Sequence, residues 1–338
     1  MSGEQVRTAS GTPARPGRAD LYLAIGLGTR APSIHNSQPW LWRLVDDGFD
    51  LYADPERRLS AADPDGHGQL ISCGAALELA ILGLRGSGWL TTVERLPSPT
   101  DPTFLARVRT TTYSPPDQAV IDRMAAAQRR RSERRPFADR PVGTELLDQL
   151  EAAVAQEGVF LHMVSKPDEA LNLAVVVSQA DRAQRRDADY RTELAQWTRP
   201  DEVTADGVPP TAVPHLSGAV RHADIPLRDF EVSTTGRLPI GIGTDEHPII
   251  AVIMTDIGGS LAALRAGEAM ARLMVEAERL GLASSAVSQA VDWPVLRQRM
   301  RDLLSWQAEP QMVVRVGWKP AGAAPGPTNR RPVAEVLC

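Results

Sequence analysis

Hydroxyl and amide side chains are concentrated in one short segment near the start of the chain. Residues 31–40 read APSIHNSQPW and place Ser33, Asn36 and Gln38 between two prolines. These side chains donate and accept hydrogen bonds at once, which suits a heteroaromatic ring with alternating N–H and C=O edges. Asn and Gln alone would indicate only a polar loop. The rigid frame of prolines favours a contact with a ligand.

Two segments further along the chain are rich in arginine. Residues 129–140 hold six arginines against Glu133 and Asp139, and Arg330 and Arg331 precede a proline near the C-terminus. A guanidinium group presents a planar fork of donors that matches phosphate oxygens, so these segments can form a clamp for a dianion. Both can equally be solvated surface, because only two of the 37 basic residues are lysines and arginine is common throughout the chain.

Other kinds of site are poorly supported. The six histidines have no metal-ligand spacing and neither cysteine belongs to a C-x-x-C pair, so we predict no metal site. The glycine pairs at 26–28 and 241–243 lack the pattern of a Rossmann dinucleotide site. No serine lies on a strand-to-helix elbow as in a hydrolase. No side chain stands out as a general acid or base, so the catalytic residues stay unknown.

Composition and charge limit the partners that we expect. The formal net charge of -5 gives no reason to expect nucleic acid or a membrane surface as a partner. No run reaches the roughly 18 apolar residues of a membrane span. Residues 1–18 are polar and lack the apolar stretch of a signal peptide. We therefore expect a flexible leader and a cytoplasmic protein.

Apolar patterns along the chain predict a mixture of helices and strands, which is the α+β class. A D-G turn at 46–48 predicts a hairpin, and Thr144 is the expected N-cap of a helix. The predicted helices cover residues 19–29, 72–84, 117–129, 145–155, 170–185 and 266–282. The predicted strands cover residues 39–45, 49–53, 104–110, 159–164, 248–255 and 311–316.

The two long helices that we expect to be buried are similar to each other. Gly267 and Gly281 follow Gly74 and Gly88 at the same distance of 193 residues along the chain. A glycine within a helix allows a close approach of another helix, and a glycine at its end provides a stop. The pattern predicts either an internal duplication or two core helices that share a common composition.

A proline-rich stretch interrupts the second part of the chain. Residues 190–247 carry six prolines and show little apolar periodicity. An irregular segment of this length is usually a lid or a disordered insertion. Its apolar residues favour a lid, and these are Trp197, Val213, Leu216 and Phe230.

Together these motifs resemble the nitroreductase family of FMN flavoproteins, and specifically its Acg-type members in mycobacteria and relatives. The shared motifs are the P-S-x-x-N-x-Q-P-W loop, the arginine-serine segment, the buried helix that ends in G-L and the basic R-x-P end. The resemblance extends from about residue 19 to residue 337. Nitroreductases are homodimers whose flavin sites use both subunits, whereas this chain keeps one copy of each motif in complementary halves. The resemblance therefore implies a nitroreductase-like fold of two fused halves, a pseudo-dimer with one site.

The resemblance also implies roles for individual residues. Arg134 would lie by the N1/O2 edge of the flavin, and Ile34 and His35 would narrow the space over the ring. The FMN phosphate would be held by Arg130, Ser132 and Arg330 or Arg331. The flavin ring would be met from the other half by Pro32, Ser33, Asn36 and Gln38. A family loop beside flavin N5 is replaced here by a loop that contains Ser288 and Gln289.

The implied organisation is a leader at 1–18, a first half at 19–114 and a second half at 115–338 that contains the lid. The first functional hypothesis is an enzyme that uses NAD(P)H and FMN to reduce nitroaromatic or quinone-type acceptors. The second is a protein that stores or sequesters FMN under a closed lid. A basic interaction module without flavin is a third alternative. The partners would be small-molecule electron donors and acceptors, and a monomer would suffice.

Overall fold

Two antiparallel sheets and two long buried helices organise the chain. The computed structural model describes residues 15–198, 204–215, 225, 227–228, 230 and 236–338. The helices are α1 (Arg18–Gly28), α2 (His67–Gly86), α3 (Gln118–Arg129), α4 (Thr144–Val154), α5 (Pro167–Arg186), α6 (Ala188–Trp197), α7 (Ser260–Arg279) and α8 (Pro294–Leu304). The strands are β1 (Trp40–Val45), β2 (Gly48–Ala53), β3 (Trp89–Arg95), β4 (Phe104–Tyr113), β5 (Val159–Val164), β6 (Ile249–Thr255), β7 (Leu282–Val287) and β8 (Glu309–Trp318).

The two sheets repeat the same connectivity. Their strand orders are β1-β2-β4-β3 and β5-β6-β8-β7, and every neighbouring pair is antiparallel. In each sheet one buried helix, α2 or α7, connects the second strand to the third. Side chains from both halves share one hydrophobic core. The α+β class and the two related halves are therefore confirmed.

The glycines of the two core helices lie at the contact between them. A Cβ atom on Gly74 would lie 2.0 Å from the carbonyl oxygen of Leu264, and one on Gly267 would lie 2.1 Å from that of Ile71. Only glycine permits this approach of α2 to α7. The contact is reciprocal, because Leu264 follows Ile71 by the same 193 residues that separate the glycines. The two halves therefore meet around a pseudo-twofold axis.

The glycines that follow these helices adopt left-handed backbone conformations. Gly88 has a φ of 89° and Gly281 a φ of 80°, a region that glycine enters without steric cost. The predicted extension of the second helix to residue 282 is therefore wrong. The helix ends at Arg279, and Leu282 begins β7 instead. Thr144 is also not an N-cap, because it is the first residue of α4 and Gly143 occupies the capping position.

A long insertion separates β5 from β6. The equivalent strands of the first half, β1 and β2, are joined by a two-residue turn at 46–47. The insertion covers residues 165–248 and begins with α5 and α6. The predicted loss of regular structure at Tyr190 is wrong, because Asp187 caps α6 by accepting a hydrogen bond of 2.8 Å from the Tyr190 amide. Leu216, Pro200 and Pro226 lie outside the described residues, as does most of the leader.

Three further elements were not predicted, and each lies next to a predicted one. β3 pairs with β4 and β7 pairs with β8, while α8 fills the connection between β7 and β8. The core also contains an apolar helix of unusual length. Within the described part of the chain, α2 is the one helix long and apolar enough to cross a membrane, and 72% of that window is buried inside the fold.

Candidate functional site

A basic cavity lies between the two halves of the chain. It forms where the loop after α1, the segment after α3 and the C-terminal segment meet, and we call it the arginine cavity. Its volume is about 180 Å³. Its wall contains arginines from both halves, which are Arg30, Arg130, Arg131, Arg134 and Arg330. No carboxylate stands among the described residues that line it.

The charges of this cavity are poorly compensated by the protein. Burial, followed by the charges of neighbouring arginines, lowers the pKa of Arg330 to about 9. The same causes lower the pKa of Arg130 to about 10. Within the described structure, Nε and Nη1 of Arg130 and Nε of Arg330 are buried without hydrogen-bond partners. Buried donors without acceptors are costly, so this arrangement favours an anionic ligand.

A second, more apolar cavity adjoins the first. The two share four lining residues, so they form one elongated site, and the shared residues are Pro32, Ser33, Ser132 and Arg134. We call the second part the apolar cavity. Its apolar side chains come from both halves and from the insertion, and they include Ile34, Ile71, Leu227, Phe230, Met270 and Met312. The whole site can hold a ligand with an anionic end and a planar, largely apolar body.

The loop between α1 and β1 presents side chains to both cavities. Its backbone is unusual, because His35, Asn36 and Gln38 have positive φ values of 48°, 55° and 51°. Such conformations are costly for residues other than glycine and tend to occur at functional sites. The Ser33 hydroxyl holds the loop in place, because it accepts a hydrogen bond of 3.1 Å from the backbone N–H of Gln38.

Asn36 and Gln38 lie in different places. Asn36 lines the arginine cavity, where its Oδ1 is buried without a partner among the described residues. Gln38 is fully buried and lies outside the lining of both cavities. Its Oε1 accepts a hydrogen bond of 2.8 Å from the Arg331 amide, and its Nε2 donates one of 2.7 Å to the carbonyl of Ala205. The side chain that was expected to meet a ring holds other segments together instead.

The two C-terminal arginines are also separated. Arg330 lines the arginine cavity, whereas Arg331 does not. The Arg331 guanidinium donates to the carbonyl of Glu335 at 2.7 Å and lies 3.6 Å from the Asp54 carboxylate. Of the two C-terminal arginines, only Arg330 directs its charge into the arginine cavity.

The arginine-rich segment after α3 divides its side chains between two roles. Arg130, Ser132 and Arg134 line the site, and Arg134 borders both of its cavities. Burial lowers the pKa of Arg134 to about 10, and its guanidinium lies 5.1 Å from the ring of Phe230. Arg135 instead forms a buried ion pair with Glu133, with a distance of 2.7 Å. The segment therefore contains some side chains that line the site and others that pair with each other inside the protein.

A buried network lines the apolar cavity on the side of the insertion. Arg228 forms an ion pair with Asp292 and donates hydrogen bonds to the hydroxyls of Tyr190 and Ser288. Its Nη1 also lies 2.6 Å from Nε2 of His35. Ser288 and Gln289, which belong to the loop that the resemblance sets beside the flavin, both line the apolar cavity.

Three important residues of the site were not predicted. Arg30 stands two residues before Pro32 and extends the clamp, a position that the motif itself could have indicated. Arg228 and Asp292 belong to segments 64 residues apart. No local pattern in the sequence reveals such a pair.

Comparison with known proteins identifies the family. No family model matches the chain. The protein named "Putative NAD(P)H nitroreductase acg" of Mycobacterium tuberculosis is 33% identical over 319 residues, which cover 93% of this chain and 94% of that protein. A second Mycobacterium tuberculosis protein described as a "Putative NAD(P)H nitroreductase" is 33% identical over 324 residues, with 95% and 92% covered.

Solved structures with a similar fold are more distant. A nitroreductase with bound FMN from Bacteroides fragilis is 15% identical with a TM-score of 0.37, over 60% of this chain and 90% of that one. A nitroreductase-like protein from Bacillus cereus has a TM-score of 0.33 at 15% identity, over 67% of this chain and 95% of that one. The assignment depends on the mycobacterial relatives, to which the similarity extends over nearly the whole length of both chains. The chain belongs to the Acg-type family of nitroreductase-like proteins.

Proposed function

We propose that the chain binds one FMN, with the phosphate in the arginine cavity and the ring in the apolar cavity, and acts as an NAD(P)H-dependent oxidoreductase. Its acceptors would be nitroaromatic or quinone-type compounds. The names of the mycobacterial relatives support the reaction class. The observation that carries the proposal is the set of five arginines around a cavity without a carboxylate among its described lining residues.

The residues present fit a phosphate group. Arg130 and Arg330 keep unpaired buried donors at this cavity, and a phosphate dianion would accept hydrogen bonds from them. It would also relieve the repulsion among the arginines that lowers their pKa values. Ser132 adds a hydroxyl at the border of the two cavities. Charge-assisted hydrogen bonds of this kind are among the strongest in proteins.

The residues of the apolar cavity fit a flavin ring. Bound FMN would supply the electron-transfer chemistry, while the protein binds, orients and shields the ring. Met270, Met312 and Ile71 provide apolar surface, and Ser285 provides a buried hydroxyl without a partner in the described structure. Arg134 places a positive charge between the ring and the phosphate, where it would favour negative charge on the nearby edge of the ring.

The proposal also covers the organisation of the chain. We assign residues 19–114 and 115–338 to the two halves, and we expect a cytoplasmic protein that needs no second chain. The FMN-binding residues are Pro32, Ser33, Asn36, Arg130, Ser132, Arg134, Ser288, Gln289 and Arg330, joined by Arg30. Gln38 and Arg331 support the loop and the C-terminal segment rather than contacting FMN.

The phosphate clamp can be tested by flavin titration. Arg330→Ala should weaken FMN binding by roughly tenfold to a hundredfold, because it removes charge-assisted hydrogen bonds. Riboflavin has no phosphate, so its affinity should hardly change. The exposed Arg299, which lies outside the arginine cavity, gives a matched control in Arg299→Ala. Fluorescence titration of protein freed of flavin measures the affinities of the unaltered protein and of both variants for FMN and for riboflavin.

Several outcomes would contradict this assignment. Equal affinity of the unaltered protein for FMN and riboflavin would exclude a phosphate clamp. Binding of two flavins per chain would exclude a single site between the halves. A loss of FMN affinity in Arg299→Ala as large as that in Arg330→Ala would show that net charge, rather than this cavity, attracts the flavin.

Storage of FMN remains a second candidate, favoured by one observation. Arg228 and Phe230 of the insertion line the apolar cavity, and Arg228 is held there by Asp292. A cover that opens leaves room for NAD(P)H, whereas one that stays closed excludes it. Anaerobic stopped-flow mixing of FMN-loaded protein with NADPH or NADH distinguishes the two functions. We expect bleaching within seconds for a reductase. An unchanged spectrum after an hour, in protein that dithionite does bleach, would support storage.

A further inference from the structure

His35 is a buried imidazole whose hydrogen-bonding state can be assigned. Its Nε2 lies 2.6 Å from Nη1 of Arg228. A guanidinium can only donate hydrogen bonds, so Nε2 must accept one and Nδ1 must carry the proton of the neutral ring. Burial, together with the charges of Arg228 and Arg134, holds the pKa of His35 well below its usual range. The imidazole is therefore neutral, with its proton on Nδ1.

Arg228 is itself held firmly enough to impose this tautomer. Its other contacts are the carboxylate of Asp292 and the hydroxyls of Ser288 and Tyr190. Asp292 and Ser288 come from the segment after β7, whereas Arg228 comes from the insertion. Rotation of the guanidinium away from His35 would break contacts in a fully buried ion pair, which is costly.

The Nδ1–H group of His35 has no acceptor in the described structure. The side chain is only 6% exposed and lines the apolar cavity. An unsatisfied buried donor is unfavourable, so an acceptor atom on a ligand would be stabilised at this position. His35 also contacts the cover of the cavity, because its ring lies 6.0 Å from that of Phe230 in an edge-on arrangement. It therefore stands where a ligand entering beneath the insertion would meet it.

We propose that His35 selects the electron acceptor, by donating a hydrogen bond from Nδ1–H to an oxygen atom on a planar aromatic ligand. Arg228 acts as the positioning residue that keeps the imidazole in the donating tautomer. Ligands with a quinone or nitro oxygen would be preferred over hydrocarbons of the same shape. This inference rests on the proposed function, since it assumes that the planar acceptor enters the apolar cavity and lies against the flavin ring bound there.

The binding test uses two planar probes with the same carbon skeleton, one with quinone oxygens and one without them. Calorimetric titration of the oxidised, FMN-loaded protein with 2,3-dimethyl-1,4-naphthoquinone and with 2,3-dimethylnaphthalene gives their affinities. One neutral hydrogen bond predicts that the quinone binds about threefold to tenfold more tightly. His35→Phe should abolish this preference, and His35→Gln, which keeps an N–H donor, should restore part of it. Arg299→Ala serves as the control and should keep the preference.

The outcomes separate this inference from the proposed function. The flavin content of each preparation is read first from its absorbance, so a protein without flavin contradicts the proposed function alone. Absence of any preference for the quinone in the unaltered protein overturns the role of His35, as does an unchanged preference in His35→Phe. Nitrogen-15 NMR of the His35 ring provides a second readout. The proton should reside on Nδ1, and a proton found on Nε2 would overturn the inference.

Discussion

Gln38 links three separate segments through one buried amide. The side chain accepts from the Arg331 amide and donates to the carbonyl of Ala205, while its own loop follows α1. The same property that suggested a ring contact, the ability to donate and accept at once, is used here within the protein. The residue type indicates a polar partner, and the fold decides which partner that is.

His67 makes a comparable link at the start of α2. Its Nε2 lies 2.9 Å from the carbonyl oxygen of Gln311 in β8, so a neutral imidazole donates a hydrogen bond there. Burial lowers the pKa of His67 to about 4. The unfolded chain binds a proton at this residue near pH 6.5, whereas the folded chain does not. The contribution to stability is therefore complete above that pH and is lost as the pH falls through the folded pKa.

A substitution isolates this dependence on pH. His67→Gln keeps a side-chain N–H donor but cannot titrate. Between pH 7 and pH 4, the free energy of unfolding should fall by about 3 kcal/mol less in His67→Gln than in the unaltered protein. Urea denaturation at each pH measures the difference. His247→Gln, at an exposed position, is the control. Equal losses in His67→Gln and the unaltered protein would show that the buried imidazole does not resist protonation.

Among the elements, the insertion between β5 and β6 distinguishes the second half from the first. Its helices α5 and α6 pack against each other, and α5 also packs against α8. Beyond them, the described residues Arg228 and Phe230 reach the apolar cavity. The ion pair between Arg228 and Asp292 connects the insertion to the segment after β7. This ion pair is one of several contacts that hold the insertion at the site, beside the ion pair of Arg57 with Asp206 and the hydrogen bond from Gln38 to Ala205.

Removal of one partner should loosen the insertion. Asp292→Asn leaves Arg228 charged and buried, and breaking such a pair commonly costs about 3–5 kcal/mol. Opening of the insertion at Arg228 avoids that cost, so hydrogen exchange at Leu227 and Arg228 should accelerate and NADPH should bleach the flavin faster. Asp302→Asn changes an exposed carboxylate of α8 and should leave both rates unaltered. Unchanged exchange in Asp292→Asn would mean that the insertion is closed by other contacts.

The elements also show what a sequence can reveal. Continuous apolar runs predicted α2 and β6 because these segments are largely buried, and α7 was predicted from its small and apolar residues. β3 was missed because much of its length is only partly buried, and its polar WLTTVER sequence gives no clear alternation. Three of the five arginines that line the arginine cavity, Arg130, Arg134 and Arg330, were named from the arginine motifs. The role of Arg228 could not be predicted from the sequence, because it arises from a tertiary contact rather than from a local pattern.

At the scale of the whole molecule, the two halves are similar in topology but unequal in the loops that build the site. The connection from α1 to β1 is eleven residues long (29–39) and carries the P-S-x-x-N-x-Q motif, whereas the connection from α4 to β5 has only four (155–158). The arginine-serine segment follows α3, in the other half. The P-S-x-x-N-x-Q loop and the arginine-serine segment each occur once in the chain, and these two segments meet across the pseudo-twofold axis. This asymmetry explains why we propose one flavin for a chain with two related halves.

The contact between α2 and α7 unites the halves, so its glycines should govern the stability of the whole chain. A Cβ at Gly74 or Gly267 would lie about 2 Å from a backbone oxygen of the facing helix. Overpacking of this kind typically costs about 1–3 kcal/mol, and Gly74→Ala and Gly267→Ala should have similar effects. Gly26→Ala in α1 is the control, since its nearest contact at 3.7 Å is an ordinary one.

The double substitution distinguishes one shared contact from two independent ones. If either new methyl group moves the helices apart, the second methyl group then enters space that has already opened. The loss of unfolding free energy in the Gly74→Ala, Gly267→Ala double variant should therefore be smaller than the sum of the two single losses, by at least about 0.5 kcal/mol. Urea denaturation measures each loss, and light scattering should show that every variant is a monomer. Strictly additive losses would mean that the helices adjust separately at each glycine, and that the reciprocal contact does not couple the two halves.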